Sequence, residues 1–286
     1  MAGSQIRVAS ETIGFIENHL QEKFSLDEVA SALNYSKFHL HREFTRAVGM
    51  TIREYAGRRR LTEAARLLVF SEKSILDIAL LSGYESQQAF TDVFRSLYKA
   101  SPGKFRKNQR FYPLQYEFVF GEKPEKTKFS MEEVECAEMS DVDGWMELTR
   151  LVIGGYPCLQ EEEYRQNLSW AIGERRALVL RDHHRIIGAM VFSDEKGKID
   201  FLAVHPRYKD LGIDRVFVGW IAKNLHPKEG ISMTTFRRGD RADTGQRLAL
   251  QELGFEECGW FWEYGYPTSR FVLPPKKWEE NLYNEI

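Results

Sequence analysis

Several features are missing from this 286-residue chain, and each absence excludes a class of protein. The sequence contains no run of 18 apolar residues that could cross a membrane as a helix. Its first ten residues lack the charged-then-apolar pattern of a signal peptide. The three cysteines lie far apart and show neither a CxxC pair nor a Cys/His spacing typical of zinc, so neither a disulfide framework nor a metal site is expected. We therefore expect a cytoplasmic protein with no membrane contact.

The formal net charge of the chain is only −2, but the net charges of its two parts have opposite signs. Residues 1–110 contain 17 Lys and Arg against 12 Asp and Glu, whereas residues 111–286 contain 23 against 30. The length is sufficient for two domains. A basic first part indicates a polyanionic partner, and an acidic second part indicates a different one.

A repeat of about fifty residues is present in the basic part. Leu40 and Phe44 recur as Phe90 and Phe94, and each pair stripes the second helix of a predicted helix–turn–helix unit. Between the units, residues 51–71 lack proline and predict a helix about 30 Å long. Successive major grooves on one face of DNA lie about 34 Å apart. The repeat therefore predicts two recognition helices held in adjacent major grooves without dimerisation.

The face opposite the apolar stripe carries the candidate base contacts. Gln can bind adenine through two hydrogen bonds, Arg can bind guanine, and an aromatic ring can contact a thymine methyl group. The alternative, that these residues are simply solvated, is less favoured because the same face recurs in both units. The predicted base-contacting residues are Phe38, His41, Arg42, Gln87, Gln88 and Thr91.

Clustered basic residues near these helices predict contacts to phosphate. Any one of them alone would be interpreted as a solubility residue, and only the cluster supports the prediction. The predicted phosphate-contacting residues are Lys37, Arg58, Arg59, Arg60, Lys104, Arg106 and Lys107.

Residues 7–108 resemble the double helix–turn–helix DNA-binding domain of the AraC/XylS family, in particular its monomeric Mar, Sox and Rob-type activators. The matching stretches are SLDEVASALNYSKFHLHREF, RRLTEAARLL and GYESQQAFTDVFRSLYKASPGKFR. The resemblance implies a transcription regulator that binds double-stranded DNA, with RNA polymerase as a further partner. One departure is Asp92, since its position is basic in those relatives. Repulsion between its carboxylate and phosphates would make the second unit bind loosely or prefer a different half-site.

A linker is predicted over residues 111–129, between a DNA-binding domain at 1–110 and a second domain at 130–286. The stretch 120–129 is polar between its ends and contains Gly121 and Pro124. Beyond it, predicted strands and helices alternate, as in an α/β layer with a mixed sheet. The order of elements and the stretch FLAVHPRYKDLGIDRVFVGWI resemble the GNAT N-acetyltransferase fold over about residues 130–275. The expected fold is thus a two-domain one, with an all-α double helix–turn–helix followed by a GNAT-like mixed sheet with helices.

The GNAT resemblance implies a site for acetyl-CoA, but the residues depart from the family's pattern. The family's pyrophosphate loop follows Arg/Gln-x-x-Gly-x-Gly/Ala, in which Gly212 is retained here while Asp214 replaces a small residue. Leu250 stands where the family often has a tyrosine that acts as general acid. No cofactor is therefore expected. If acetyl-CoA does bind, the resemblance implies contacts with Leu202, Val204, Lys209 and Gly212.

An aromatic stretch, GWFWEYGYP, offers two interpretations. As a strand it would place Trp260, Trp262 and Tyr264 on one face. That face could belong to a core covered by helices, or it could line a concave pocket for a planar or cationic effector.

Two functions remain after these observations. In the first, the chain is a transcription regulator whose GNAT-like domain senses a small-molecule effector. In the alternative, it is a bifunctional regulator and acetyl-CoA-dependent N-acetyltransferase. Asp214 and Leu250 favour the first, and Gly212 gives the second its support.

Overall fold

The computed structural model describes residues 2–121, 124–152, 159–193, 197–263 and 266–275. The chain divides into an N-terminal and a C-terminal compact unit near residue 122. Over the described residues, no helix has the length and apolar character needed to cross a membrane.

Helices form the N-terminal unit. In chain order they are α1 (Ala2–Asn18), α2 (Leu26–Ala32), α3 (Lys37–Val48), α4 (Ile52–Phe70), α5 (Ile75–Leu81), α6 (Gln87–Tyr98) and α7 (Pro102–Asn108). The pairs α2–α3 and α5–α6 are the two predicted helix–turn–helix units. Ser25, Ser36, Ser74 and Ser86 begin their four helices, and each serine side chain accepts a hydrogen bond from a backbone N–H of the first turn.

The long helix α4 connects the two units as predicted. Thr51 and Glu54 form a capping box at its start, and the helix continues for 19 residues, or about 28 Å at 1.5 Å per residue. Leu61 and Leu68 of α4 are buried in one core cluster with Phe90 and Phe94 of α6. This shared core fixes the second unit on the linking helix.

The first part of the predicted linker packs on the N-terminal unit. The hydroxyl of Thr62 accepts hydrogen bonds from the backbone N–H groups of Leu114 and Gln115, at 3.0 and 3.1 Å. Phe118 is buried as well, and its N–H donates to the hydroxyl of Tyr55. These contacts leave a shorter connection than the 19 residues predicted over 111–129.

A seven-stranded mixed sheet forms the centre of the C-terminal unit. Its strands are β1 (Glu135–Cys136), β2 (Ala177–Asp182), β3 (Arg185–Phe192), β4 (Lys198–Val204), β5 (Ile231–Phe236), β6 (Glu256–Glu263) and β7 (Tyr266–Leu273). Their spatial order is β1-β2-β3-β4-β5-β7-β6. Strands β4 and β5 pair in parallel, whereas the other neighbouring strands pair antiparallel. The β4–β5 ladder contains only Lys198↔Ser232 and Ile199↔Met233.

Helices cover both faces of this sheet. They are α8 (Val142–Leu151), α9 (Glu161–Gly173), α10 (Ile213–Leu225) and α11 (Gln246–Glu252). Helices α8 and α9 bury Trp145 and Leu168 on one face, and α10 buries Phe217 on the other. Helix α10 lies close because β3 has a glycine there, since a Cβ at Gly188 would lie 2.6 Å from the Phe217 ring. The predicted α/β mixed sheet is confirmed.

Candidate functional site

Helix α3 exposes the first set of predicted base-contacting residues. Its apolar stripe, Leu40 and Phe44, is fully buried, so the opposite face near the helix start is turned to solvent. Phe38, His41 and Arg42 lie on that face, and Phe38 is 81% exposed. An aromatic ring so exposed gains little for folding, and its position suits contact with a partner.

Helix α6 presents the equivalent face of the second unit. Gln87 and Gln88 are its first two residues and both are exposed, whereas Phe90 and Phe94 are fully buried. Thr91 is half-buried beside them. The two adjacent glutamines therefore face solvent at the beginning of the helix, where recognition helices contact base edges.

A carboxylate contacts one of the predicted base-contacting residues on each helix. Glu43 Oε1 accepts from Nε of Arg42 at 2.8 Å, and a second guanidinium nitrogen lies 3.4 Å from Nδ1 of His39. On α6, Nε2 of Gln88 donates to Asp92, at 3.1 Å from Oδ1 and 3.2 Å from Oδ2. Each pair is formed within a single helix.

Glu43 is a residue of the site that the sequence analysis missed. It is 6% exposed and lies on the buried stripe of α3 between Leu40 and Phe44. The hydrogen bond from Arg42 outweighs burial and lowers the pKa of the Glu43 carboxyl. Its sequence signal was available, because a carboxylate at an otherwise apolar stripe position needs a hydrogen-bonding or charged partner.

Three of the predicted phosphate contacts remain at the surface. Lys104 and Lys107 of α7 are exposed, and Lys37 at the start of α3 is exposed beside Asp27, with 3.2 Å between Nζ and Oδ1. Long cationic side chains in such positions can reach a nearby phosphate.

Of the other four predicted phosphate contacts, Arg58 and Arg59 are buried, which contradicts contact with DNA, whereas Arg60 and Arg106 are half-buried and bonded to the backbone. Arg58 and Arg59 are 5% and 7% exposed, although both were expected to face DNA. Arg60 donates from Nε to the carbonyl of Leu20 at 2.8 Å, and Arg106 donates from Nε to the carbonyl of Leu68 at 3.1 Å. Arg59 bonds α4 to Glu17 of α1, and Arg106 bonds α7 to α4, within the N-terminal unit.

The aromatic stretch does not form the covered core face that was one of its two interpretations. Trp260 and Trp262 are 75% and 71% exposed on β6, the edge strand of the sheet, so helices do not cover them. The guanidinium of Arg237 lies 5.4 Å from the ring centroid of each indole. Tyr264 lies outside the described residues.

The segment that would hold acetyl-CoA fits that group only in part. Leu202 and Val204 lie on the half of β4 beyond its short ladder with β5, and both are half-buried. Gly212 precedes α10 with a φ of 68°, and no described atom lies within 4 Å of a Cβ built there. The backbone around this glycine is therefore accessible to a ligand.

Two residues of the same segment oppose acetyl-CoA chemistry. Asp214 lies in the first turn of α10, and burial raises the pKa of its carboxyl. If pyrophosphate bound at this segment, the carboxylate of Asp214 would lie beside it. The carboxylate of Asp210, which is exposed next to Lys209, would lie beside it as well. Leu250 is 5% exposed in the core and has no proton to donate. The residues present do not fit a catalytic acetyl-CoA site.

Duplicated recognition helices on a shared linking helix define a class of protein, the double helix–turn–helix transcription regulators. A family model described as a helix-turn-helix domain matches residues 29–108. The chain is 42% identical over 103 residues to the probable transcription factor PqrA of Proteus vulgaris, covering 35% of this chain and 84% of PqrA. It belongs to the AraC/XylS family of DNA-binding transcription regulators.

Two further similarities were found, to a second transcription regulator and to a protein of the GNAT family. The chain is 38% identical over 120 residues to the HTH-type transcriptional regulator YbfP of Bacillus subtilis. The matched residues make up 42% of this chain and 41% of YbfP. It is also similar to the structure of a GNAT-family acetyltransferase from Bacillus cereus, with 18% identity and a TM-score of 0.38. That similarity covers 48% of this chain and 93% of the acetyltransferase.

Proposed function

We propose that a single copy of this chain regulates transcription by placing α3 and α6 in successive major grooves of one duplex. The observation that supports this is the pair of exposed helix faces joined by α4, whose length of about 28 Å approaches the groove spacing of about 34 Å. RNA polymerase is the proposed partner through which such a bound regulator would act.

Footprinting with the full chain tests this arrangement. A selected operator should show protection over two successive major-groove segments on one face of the DNA. Binding should follow a one-protein stoichiometry, and log K should fall steeply with log salt because several lysines displace counterions. Protection limited to one groove segment, or affinity that requires two chains, would contradict the proposal.

Arg42→Ala is expected to weaken binding to the selected operator by about 1–3 kcal/mol, since the variant loses a base contact. Affinity for random duplex should change little. Lys104→Ala is the contrasting variant, because loss of a phosphate contact should weaken binding to every sequence and flatten the salt slope. Titration of both variants by fluorescence anisotropy separates the roles. An equal loss on operator and random DNA by Arg42→Ala would eliminate its base contact.

For the C-terminal unit we propose that it senses a small-molecule effector and does not turn over acetyl-CoA. The support comes from Asp210 and Asp214, because repulsion between a carboxylate and a phosphate about 4 Å apart costs roughly 1–4 kcal/mol. The exposed indoles of Trp260 and Trp262 with Arg237 between them favour a planar, anionic effector over a cationic one. The planar class expected from the sequence is kept, and an anionic effector is proposed in place of the cationic alternative.

Acetyl transfer to a panel of amines should be undetectable with the unmodified protein. Asp214→Gly removes one carboxylate beside the proposed pyrophosphate position and should increase acetyl-CoA binding, measured by calorimetry, by about fivefold or more. Asp243→Gly serves as a control, because it also removes one carboxylate from this unit but at another place in the chain. The Asp243 carboxylate accepts hydrogen bonds from the backbone N–H groups of Gly245 and Gln246, at the start of α11. Turnover by the unmodified protein at an ordinary enzymatic rate would instead support the bifunctional enzyme.

A further inference from the structure

A carboxylate interrupts the apolar stripe of α3 at a position where the fold does not need one. Glu43 is buried beside Leu40 and Phe44, which are fully buried. The repeat of about fifty residues places Val93 at the same position of α6, so an apolar residue serves the equivalent packing. A buried charge is unfavourable unless it is paired and hydrogen-bonded. The role of Glu43 therefore lies in the contacts that it makes.

The Glu43 carboxylate holds an arginine whose side chain is mostly exposed. Oε1 of Glu43 accepts a hydrogen bond from Nε of Arg42 at 2.8 Å, although the Arg42 side chain is 64% exposed. Nη2 of Arg42 lies 3.4 Å from Nδ1 of His39, one helical turn earlier. A guanidinium has no acceptor, so Nδ1 accepts in this longer contact. Two contacts to one planar group restrict rotation about the last bonds of the side chain.

These two contacts use one edge of the guanidinium and leave its end available to a ligand. Nε and Nη2 share the edge that faces Glu43 and His39. The group has five N–H donors, all of them donors only, and the two contacts use one N–H on each of these nitrogens. The end of the group still offers a forked pair, one N–H on Nη1 and one on Nη2. Such a pair matches the acceptors O6 and N7 of guanine.

We propose that Glu43 is a positioning residue that holds Arg42 for guanine in the first half-site, with His39 as a second support. A free arginine loses rotamers when it binds, whereas an arginine already held avoids part of that cost. A held arginine also cannot turn to a phosphate when another base is present, so its restraint increases discrimination. The inference rests on the proposed function, since it requires α3 to lie in a major groove with Arg42 on a base edge.

The first measurement concerns the unmodified full chain without DNA. The Nε–H group of Arg42, assigned with the Arg42→Ala variant, should show restricted motion in ¹⁵N relaxation, comparable to that of the buried Arg59. The Nε–H group of Arg46, an exposed residue of the same helix, should move freely. An Arg42 group as mobile as that of Arg46 would mean that Glu43 does not hold it, and the inference would be overturned.

The second experiment uses the full chain and its selected operator, in which each base pair of the first half-site is replaced in turn. Arg42→Ala identifies the contacted position, because only there should it abolish the base preference. The unmodified protein should prefer guanine at that position by about tenfold. Replacing this guanine with 7-deazaguanine, which lacks N7, should reduce affinity by about threefold or more. Hypoxanthine keeps both O6 and N7, so it should change affinity little.

Glu43→Leu then tests the positioning role. It gives α3 an uninterrupted apolar stripe, so the variant should melt no earlier than the unmodified protein. The guanine preference should fall to about threefold or less, because a freed Arg42 must be ordered at guanine and can turn to a phosphate at other bases. Affinity for random duplex should rise, since a negative charge is lost near the DNA. Fluorescence anisotropy titrations measure both quantities.

Glu43→Gln is the matched control for charge. It removes the negative charge but keeps an oxygen of similar reach that can accept from Nε of Arg42. Its affinity for random duplex should therefore rise as in Glu43→Leu, while its guanine preference should stay within about twofold of that of the unmodified protein. A loss of preference as large as that of Glu43→Leu would assign the effect to charge and overturn the inference.

The remaining outcomes separate the inference from the proposed function. If Arg42→Ala alters no position, both the inference and the base contact of Arg42 fail. A preference for a base other than guanine at the contacted position, or a guanine preference that survives Glu43→Leu, eliminates the inference alone. If Glu43→Leu melts early, the relaxation measurement on the unmodified protein and the Glu43→Gln titration decide the matter.

Discussion

Replacing Arg59 with alanine is expected to lower the free energy of unfolding of the N-terminal unit by about 3–5 kcal/mol. The guanidinium lies between α4 and α1, where Nε and Nη2 donate to the two oxygens of Glu17 at 2.8 and 2.7 Å. The Arg59 side chain is 9% exposed and that of Glu17 is 15%. Removing the cation would leave a carboxylate buried with only the hydroxyl of Tyr55 as a described partner, at 2.9 Å.

The charged state of Arg59 is consistent with that expectation. Burial disfavours the guanidinium cation, but hydrogen bonds and attraction from Glu17 outweigh it, so the pKa of Arg59 is raised. Arg59 therefore remains charged at neutral pH, and its loss from this buried contact with Glu17 is costly. A double variant, Glu17→Leu with Arg59→Met, should recover much of the stability, because well-packed apolar residues can replace a buried ion pair.

The measurement can separate the two units because all six tryptophans lie beyond residue 144. Tryptophan fluorescence during urea unfolding follows the C-terminal unit, whereas the helical circular dichroism signal also contains the N-terminal unit. Arg66→Ala on the same helix is the control, since that side chain is 56% exposed and its loss should cost less than about 0.5 kcal/mol. An Arg59→Ala variant of normal stability that binds all DNA weakly would restore the phosphate contact first predicted for it.

Acidification is expected to destabilise the C-terminal unit through His205. The ring is 5% exposed, and burial, with repulsion from Arg185 and Arg207, lowers the pKa of His205 to about 4. An unfolded histidine has a pKa of about 6.5. Below about pH 6.5, His205 is therefore protonated in the unfolded chain, whereas in the folded unit it stays neutral down to about pH 4. Stability should fall across that window by up to about 3 kcal/mol.

His205→Asn isolates this contribution. Nδ1 of His205 accepts from the backbone N–H of Arg207 at 3.2 Å, at the start of the 3₁₀ helix Pro206–Leu211. Asparagine can accept the same hydrogen bond and does not titrate. Urea unfolding monitored by tryptophan fluorescence between pH 4.5 and 7.5 should show a shallower decline in the variant. Carboxylates titrate in both proteins, so an identical slope in both would eliminate His205 as the cause.

Local signals explain how much of the N-terminal fold was predictable. The serine caps and the stripe of Phe90 and Phe94 act within one or two helical turns, and they define α2–α6 without reference to the rest of the chain. The burial of Arg59 was not predictable in this way, because its partner Glu17 lies 42 residues earlier and no local pattern connects them.

The C-terminal unit shows a different limit. Alternation along β6 correctly predicts that Trp260 and Trp262 share a face, but it does not reveal whether another layer covers that face. The position of β6 at the edge of the sheet decides the matter, and that position depends on pairing with β7. Strand order is a property of the whole domain, so the exposure of these indoles appears only in the structure.

In the proposed binding mode, the different residues on α3 and α6 would also give the operator an orientation. A regulator made of two identical chains sees the same sequence from either end, but one chain with Arg42 on its first helix and Gln88 on its second does not. Inverting such a site in a promoter would reverse the orientation of the bound protein along the DNA relative to the start of transcription. A gene could therefore lose or gain regulation by inversion of its operator, with every base contact intact.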